Sequence, residues 1–486
     1  MNYKMLGRFV AQILALETVF MIPPLLLAIF DGDIGTAQGF FAAICIALLL
    51  SGICHFCFRS AKTGFYAKEG FLCVGVGWIV LSLVGCLPFY LSGEIPVFID
   101  AFFEMVSGFT TTGASVVENV EALSRACNYW RCFSNWLGGM GVLVFLLAVV
   151  PEGGGKSGFT MHLMRAESPG PSVGKLVPRL RQTASILYLM YIALTIVCFI
   201  FLLLGHMSVF DSICTAFSTA GTGGFGIKGD SLGGYSPYLQ NVCTAFMLLF
   251  GVNFSCYYLL LLRQVKSVLA DEEVRLYLAL FLLSTAAISV NIYRHCSFDT
   301  ALEAVHHAAF QVSSIMTTTG FATVDFNEWP IFSKTIMLFL MLVGGCAGST
   351  AGGFKCSRVL IMFKSMVANV RQTIHPQKIE VVRINRQSVN EKIVSSTNAY
   401  LAAYIVILFT SLVLVSYDGH NLATNLSAVF SCLNNVGPGF GEVGPANNYS
   451  MYSGFCKLVL SFDMLAGRLE IFPILALFTR DAWGHR

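Results

Sequence analysis

A short run rich in threonine and glycine occurs four times in this chain, and each copy lies between long apolar segments. The four copies are Thr110–Ala114, Thr222–Gly226, Thr317–Phe321 and Gly437–Gly441. Glycine adopts backbone conformations that other residues resist, so such a run can turn successive carbonyl groups toward one axis. We call these runs the glycine loops. A single copy is typical of an ordinary turn, but four copies in equivalent surroundings indicate a shared function.

The composition requires a membrane around most of the chain. Of the 486 residues, 56% are hydrophobic and only 12% are charged, and the mean hydropathy is +0.71. A soluble domain carries about 25% charged residues, so we interpret the sequence as an integral protein of a lipid bilayer. The net charge of +3 is too small to indicate a nucleic-acid partner.

Apolar segments of about 20 residues, long enough to span a bilayer, recur in a fixed order around the glycine loops. Two such segments, near 9–30 and 38–58, precede the first repeat, and Pro23-Pro24 is expected to kink the first of them. The helices predicted for the four repeats are 71–92, 100–110 and 130–150; 184–205, a short one from 211, and 238–262; 275–293, 299–316 and 331–366; and 398–417, 422–434 and 452–478.

We therefore predict an all-α integral membrane protein in which four pseudo-symmetric repeats surround one pore. Each repeat is a helix, a half-helix, a filter loop and a second helix, and two extra transmembrane helices precede the first repeat. Internal repetition on this scale is an architectural signal. The predicted units are an N-terminal extension (1–69), pore repeat 1 (70–151), pore repeat 2 (152–263), pore repeat 3 with a cytoplasmic loop (264–394) and pore repeat 4 (395–486).

Four loops around one axis form a cage of backbone oxygens that can replace the water shell of a cation. Aligned on the shared glycine, the equivalent positions are Gly113, Gly224, Gly320 and Gly439. The carbonyl groups predicted to bind the ion belong to Thr111, Thr112 and Gly113; Thr222, Gly223 and Gly224; Thr318, Thr319 and Gly320; and Gly437, Pro438 and Gly439.

The half-helices carry features that suit a cation. The residues expected to cap their N-termini are Asp100, Asp211, Asp299 and Asn421. Each C-terminal end, with its partial negative charge, would then face a glycine loop, although plain capping explains the same residues. An acidic residue follows each loop, and the four form either an outer ring that concentrates cations or separate solvated charges. These residues are Glu118, Asp230, Asp325 and Glu442.

Two features interrupt the apolar pattern. The stretch 344–353 lies inside a predicted helix and contains Gly344, Gly345, Gly348, Gly352 and Gly353. Irregular backbone at membrane depth is tolerated only inside protein or beside water, so we predict a loop beneath the filter that acts as a gate. The alternative is close helix packing through small residues. Arg468, a costly intramembrane charge, either faces the cavity below the filter or pairs with Asp463 or Glu470.

Positive charge predicts the orientation in the membrane. Most of the 30 Lys and Arg residues fall at the two termini and in the loops after 58, 150, 262 and 355. Cytoplasmic loops are enriched in Lys and Arg, so both termini are expected in the cytoplasm and the glycine loops open to the outside. The basic segment 367–394 is either a docking surface for a soluble partner or a solvated linker.

In these features the chain resembles the TrkH-type potassium uptake proteins of the Trk/Ktr/HKT superfamily over essentially its whole length. The resemblance is carried by the four glycine loops, the stretch 344–353 and Gly467-Arg468-Leu469-Glu470, and the two extra N-terminal helices resemble the Trk branch. It implies K⁺ uptake across the bacterial inner membrane by a homodimer with one pore in each subunit. It also implies a cytoplasmic, nucleotide-binding regulatory subunit of the TrkA kind. The chain departs from the family pattern at Gly223 and Pro438.

Two other functions stay open at this point. The first is a symporter that couples K⁺ or Na⁺ flux to H⁺ or Na⁺. The second, a membrane-embedded enzyme, is disfavoured because the sequence has no HExxH motif, no nucleophile elbow and no P-loop. The run Gly153–Ser157 lacks the glycine spacing and the preceding strand that a P-loop requires.

Overall fold

The computed structural model describes residues 3–58, 67–141, 180–296, 298–377 and 380–484. Within these ranges the regular structure is helical, apart from one antiparallel hairpin that pairs Arg383–Ile384 with Gln387–Ser388. The predicted loop after residue 58, the end of the predicted helix 130–150 and the run Gly153–Ser157 lie outside the described residues.

Two helical segments form the start of the chain. The first consists of Tyr3–Phe20 and Ile22–Asp31, and it is interrupted at Met21, just before Pro23-Pro24. Proline lacks a backbone N–H group and clashes with the preceding turn, and the interruption lies where the kink was predicted. This segment packs along the second, Ile34–Cys57.

Six helical segments among the described residues are long and apolar enough to cross a bilayer. They are Tyr3–Asp31, Ile34–Cys57, Glu69–Ser92, Ala184–Leu204, Glu272–His295 and Glu391–Asp418. A bent pair of helices, Pro237–Phe250 and Phe254–Leu261, makes a seventh if it is counted as one span. Large apolar side chains such as Phe41, Leu282 and Val406 are exposed on these segments, which suits contact with lipid tails. The chain is therefore an all-α membrane protein.

Each repeat begins with a long leading helix and continues with a half-helix that ends at its glycine loop. The leading helices are Ala67–Gly85 with Leu87–Ser92, Leu180–Leu204, Glu272–His295 and Glu391–Val415. The half-helices are Phe98–Phe109, Val209–Gly221, Ala301–Met316 and Leu422–Asn434. Short 3-10 helices follow three of the loops, at Val120–Ala122, Phe326–Glu328 and Gly441–Val443, and another, Ser416–Asp418, ends the fourth leading helix.

The helices that follow the glycine loops arrange the repeats in a closed ring. These closing helices are Arg125–Gly139, Pro237–Phe250, Ile331–Val343 and Gly454–Arg468. Each one packs against the half-helix of its own repeat and against the half-helix of the next repeat, and the fourth packs against the first half-helix. This cyclic order is the order that a pseudo-fourfold axis requires.

Two closing helices that the sequence pattern predicted as continuous are broken. The predicted helix 238–262 is wrong because the chain bends by 90° between Phe250 and Phe254. The predicted helix 452–478 is wrong because it stops at Arg468, and Glu470 and Ile471 have φ values of 55° and 67°. A short helix, Phe472–Leu477, follows. Apolar composition continues through both breaks, so hydropathy alone did not reveal them.

The third closing helix breaks where the sequence predicted. Ile331–Val343 is followed by a non-helical segment, residues 344–355, and then by Cys356–Ile374. We call residues 344–355 the intramembrane loop. Gly344, Gly348 and Gly353 have φ values between 71° and 78°, a region that favours glycine.

The N-cap prediction is correct for one half-helix and wrong for three. The side chain of Asn421 accepts a hydrogen bond from the N–H of Ala423 at 3.2 Å. The other three caps, predicted as Asp100, Asp211 and Asp299, are Val97, Ser208 and Thr300. Serine and threonine hydroxyls cap helices as well as carboxylates do. Acidic residues are also favoured in the first turn, where Asp100 and Asp211 lie.

Candidate cation site at the glycine loops

The four glycine loops share one backbone conformation. In each, a residue with φ between 53° and 56° is followed two positions later by a glycine with φ between 69° and 101°. The left-handed residue donates its N–H to the carbonyl three residues back, and the next residue donates to the carbonyl five residues back. The paired positions are Thr111 and Gly113, Thr222 and Gly224, Thr318 and Gly320, and Asn435 and Gly437.

The fourth loop is shifted by two residues from the sequence alignment. The glycine two positions after its left-handed residue is Gly437, with a φ of 101°, whereas Gly439 is outside the positive-φ region. Residues 435–437 are therefore in register with residues 111–113, and Pro438 and Gly439 lie past the shared segment. The aligned position Gly439 was wrong because the run contains three glycines, and only the backbone shows which of them is equivalent to Gly113, Gly224 and Gly320.

The loops touch one another in cyclic order through these glycines. A Cβ atom built on each glycine would collide with a backbone carbonyl oxygen of the next loop. The pairs of glycine and carbonyl are Gly113 with Gly223, Gly224 with Thr319, Gly320 with Val436, and Gly437 with Thr112. Both the positive φ and the close approach of a neighbouring backbone therefore require glycine at these four positions.

The carbonyl groups of this ring lie in buried residues. Among the described residues, none donates a hydrogen bond to the carbonyls of Thr111, Thr112, Thr222, Gly223, Thr318, Thr319, Asn435 and Val436. Buried backbone carbonyls are nearly always paired. A ring of buried carbonyls without donors is the arrangement that coordinates a dehydrated cation.

Side-chain hydrogen bonds stiffen three of the loops. The hydroxyl oxygens of Thr110 and Thr112 are 2.8 Å apart, and those of Thr317 and Thr319 are also 2.8 Å apart. The side-chain amide of Asn435 donates to the hydroxyl of Thr112 at 3.0 Å, which joins the fourth loop to the first. The half-helices end at these residues, so their partial negative charge is directed at the ring.

A buried ion pair that the sequence analysis missed supports the first two loops. Arg131 Nη2 lies 2.7 Å from Glu104 Oε1, and both side chains are at most 1% exposed. Glu104 also accepts the N–H of Val116 at 2.9 Å. The guanidinium group of Arg131 lies 4.3 Å from the ring centre of Phe225 and donates to the carbonyl of Gly226 at 3.3 Å. The signal in the sequence was a pair of opposite charges at membrane depth, each of which is costly alone.

The last repeat is joined to the first by a second ion pair. Lys457 Nζ of the fourth closing helix lies 2.7 Å from Asp100 Oδ1 of the first half-helix. Nearby, the N–H of Tyr449 donates to the carbonyl of Ser115 at 2.8 Å, and the Tyr449 hydroxyl donates to the carbonyl of Gly437 at 2.7 Å. The ring is thus closed by side chains as well as by the loops themselves.

The intramembrane loop lies against the ends of the half-helices and closing helices. The N–H of Gly352 donates to the hydroxyl of Thr318 at 2.6 Å, and the N–H of Gly353 donates to the carbonyl of Asn434 at 3.0 Å. The N–H of Cys346 donates to the carbonyl of Gly251 at 3.0 Å. The loop therefore contacts the second, third and fourth repeats next to the ring. Gly345 also belongs to the glycines predicted to form the gate, and a Cβ atom on it would collide with the Ala351 side chain.

Arg468 connects the intramembrane loop to the first repeat. Its Nη1 atom donates to the carbonyl of Thr350 at 3.0 Å and lies 3.4 Å from the hydroxyl of Thr111. Its Nη2 atom donates to the carbonyl of Gly139 at 2.6 Å and to that of Gly138. The two acids proposed as partners have their own contacts, since Glu470 pairs with Arg358 and Asp463 accepts the hydroxyl of Ser411.

The four acidic residues beyond the loops lie in different surroundings. Asp325 caps a 3-10 helix by accepting the N–H of Asn327 at 2.9 Å. Glu442 lies 2.8 Å from the imidazole of His420. Glu118 and Asp230 are exposed. The outer acidic ring stays a prediction.

Comparison with known proteins agrees with this architecture. The profile of a family described as TrkH, cation transport protein, matches residues 36–482. The Trk system potassium uptake protein TrkH of Salmonella typhimurium is 34% identical over 99% of this chain and its own full length. TrkG of Escherichia coli is 32% identical over 96% of each chain. The crystal structure of the potassium transporter TrkH from Vibrio parahaemolyticus superposes with a TM-score of 0.89, at 32% identity and over 100% of both chains.

Proposed function

The chain belongs to the TrkH family of cation transport proteins, and on that premise we propose that it takes up potassium ions through a channel-like pore. The observation that carries the proposal is the closed ring of buried backbone carbonyls at the four glycine loops. An ion that enters the ring exchanges its water shell for protein oxygens. Relatives from two genera, Salmonella and Escherichia, are named as potassium uptake proteins of Trk systems, and named transporters support a transport function rather than catalysis.

The proposed filter uses three consecutive residues of each glycine loop. They are Thr111, Thr112 and Gly113; Thr222, Gly223 and Gly224; Thr318, Thr319 and Gly320; and Asn435, Val436 and Gly437. The last set replaces Gly437, Pro438 and Gly439, because the shared backbone conformation begins at Asn435. The division of the chain into four pore repeats is part of the same proposal and is supported by the cyclic packing of the closing helices.

The proposed driving force is the membrane potential. A monovalent cation gains about 2.3 kcal/mol for each 100 mV that it crosses, so uptake needs no nucleotide hydrolysis by this chain. A symporter differs in one measurable respect, because its reversal potential follows the gradient of the coupled ion.

The intramembrane loop is the proposed gate. It lies next to the ring and contacts the second, third and fourth repeats, and Arg468 joins it to the first. We place this loop on the cytoplasmic side, in the bacterial inner membrane, with both termini in the cytoplasm. That orientation is supported by the Lys and Arg distribution. The proposed assembly, a homodimer with a nucleotide-binding regulatory subunit of the TrkA kind, is supported by the family resemblance.

The purified full-length chain in liposomes tests this function. Without an added ionophore, we expect K⁺ flux whose reversal potential equals the K⁺ equilibrium potential. This reversal potential should not move when the H⁺ or Na⁺ gradient is changed. A reversal potential that shifts with either gradient favours the symporter. No cation flux from a monodisperse preparation, with or without the regulatory subunit, would overturn the proposal.

A further inference from the structure

Glu273, near the start of the third leading helix, connects the intramembrane loop to the helix that follows it. Its Oε1 atom accepts a hydrogen bond from the N–H of Ala347 at 2.7 Å and another from the N–H of Ser357 at 3.0 Å. Ala347 lies inside the loop, and Ser357 lies in the first turn of the helix that follows it. One side-chain oxygen therefore connects the non-helical loop to the start of the next helix.

Asp271, two residues before Glu273, binds both Glu273 and the antiparallel hairpin. Asp271 Oδ1 accepts the N–H of Glu273 at 2.9 Å, and Asp271 Oδ2 accepts the side-chain amide of Asn385 at 2.8 Å. Asn385 is the first turn residue of the hairpin, between Arg383–Ile384 and Gln387–Ser388, and its Oδ1 atom accepts the N–H of Glu272 at 2.9 Å. The hairpin is thus connected to the loop through two side chains.

The helix that follows the loop is attached to the same unit. Lys364 of Cys356–Ile374 pairs with Glu272, and its ammonium group also donates to the carbonyl of Arg383 at 2.7 Å. The hairpin, the acidic run Asp271–Glu273 and this helix are therefore linked by hydrogen bonds.

We propose that Glu273 is the positioning residue that keeps the intramembrane loop against the glycine loops, and that displacement of the hairpin releases it. This proposal rests on the proposed function, because it assigns a control element to the same pore. Acidic residues in a first helical turn ordinarily serve the helix dipole. Asp271 already caps this helix, whereas Glu273 is directed to backbone groups of another segment.

The physical reason is that these two half-buried N–H groups need a hydrogen-bond acceptor. The N–H groups of Ala347 and Ser357 lose their acceptor when the Glu273 carboxyl is removed, and an N–H group that is shielded from water and unpaired is costly. A loop conformation that exposes these groups to water then becomes favourable. The other contacts of the loop, such as Cys346 with Gly251 and Gly352 with Thr318, stay in place when this carboxyl is removed, so we expect a partial release of the loop.

Two substitutions separate the hydrogen-bond role from a general effect on folding. Glu273→Ala removes the acceptor, whereas Glu273→Gln keeps an amide oxygen at the same position. In liposomes we expect Glu273→Ala to raise K⁺ flux several-fold, and Glu273→Gln to stay near the unsubstituted protein. Glu391→Ala, at an exposed first-turn acid of another leading helix, is the matched control and is expected to have no effect.

The reactivity of Cys346 with a water-soluble maleimide, located by peptide mass spectrometry, gives a readout that does not depend on ion flux. Cys346 is 0% exposed, and we expect Glu273→Ala to make it reactive. Labelling without increased flux supports the positioning role and counts against the loop as the gate. Unchanged labelling in Glu273→Ala, or the same gain in Glu273→Gln, would overturn the positioning role. Should Glu273→Ala fail to fold, the exposed variant Asn385→Ala must give a smaller change in the same direction, and no change would overturn the link to the hairpin.

Discussion

Gly437 of the fourth glycine loop lies against the carbonyl oxygen of Thr112 in the first loop, and a Cβ atom on the glycine would lie 2.6 Å from that oxygen. The two residues come from the two ends of the pore-forming part of the chain. The same relationship joins each of the other loops to its neighbour. The backbones of neighbouring loops therefore lie close together all round the ring, and any side chain added at these glycines pushes two carbonyl-bearing segments apart.

Replacing the glycine of the first loop is expected to weaken ion selection. In Gly113→Ser the new side chain collides with the carbonyl of Gly223 and must adopt a φ of 78°, so the ring widens and K⁺ over Na⁺ discrimination falls. The measurement is the ratio of K⁺ to Na⁺ flux in liposomes. Gly93→Ser is the matched control, because Gly93 has a φ of 81° and open space around it. An unchanged ratio in Gly113→Ser argues against the filter assignment.

The register of the fourth loop gives a separate prediction. Gly437→Ala places a methyl group against the backbone of the first loop, whereas Gly439→Ala meets the side chains of Val443 and Ser427. We expect the first substitution to reduce the K⁺ to Na⁺ flux ratio and the second to preserve it while lowering thermal stability. A lower flux ratio in Gly439→Ala and an unchanged ratio in Gly437→Ala would instead support the alignment on Gly439.

Gly437 and Gly439 illustrate one limit of sequence reasoning, because only the backbone conformation shows which of them is equivalent to Gly113. Repetition and hydropathy predicted the half-helices, and the five glycines of 344–353 predicted the break there, because each leaves a local pattern. The breaks after Phe250 and Arg468 were missed because apolar residues continue on both sides, and the local signals there, such as Asn253 and Pro473, were outweighed by hydropathy. The N-caps at Ser208 and Thr300 were missed because a nearby aspartate fits the same rule.

Contacts between distant parts of the chain were beyond sequence reasoning for a different reason. Glu104 and Arg131 are separated by a glycine loop, and nothing in their spacing indicates that they meet. The same holds for Glu273 and the N–H groups that it binds. An unpaired charge at membrane depth predicts that a partner exists, but the identity of the partner depends on the packing of the helices.

The buried pair of Arg131 and Glu104 is expected to be a large contributor to stability. Replacing one partner, as in Glu104→Gln, leaves a buried charge without compensation, which typically costs about 3–5 kcal/mol. We expect a marked fall in the thermal unfolding temperature in detergent. The double variant Glu104→Gln/Arg131→Met removes both charges and should recover part of the loss. A single variant as stable as the unsubstituted protein would contradict the structural role of the pair.

Arg468 is expected to limit flux without setting selectivity. Arg468→Ala removes the hydrogen bonds to Thr350 and Gly139, which frees the intramembrane loop from the first repeat and removes a positive charge near the ring. We expect cation flux to rise while the K⁺ to Na⁺ ratio is unchanged, because the glycine contacts stay intact. Flux equal to that of the unsubstituted protein, in a preparation with normal gel filtration, would exclude this role.

The account depends most on the binding of a dehydrated monovalent cation by the ring of carbonyl oxygens. Anomalous scattering from crystals soaked in Rb⁺ or Tl⁺, which substitute for K⁺, measures this directly. The account predicts a peak between the carbonyl oxygens of Thr112, Gly223, Thr319 and Val436, and a weaker peak in Gly113→Ser. Anomalous peaks elsewhere in the membrane-spanning region, with none at the ring, would contradict it.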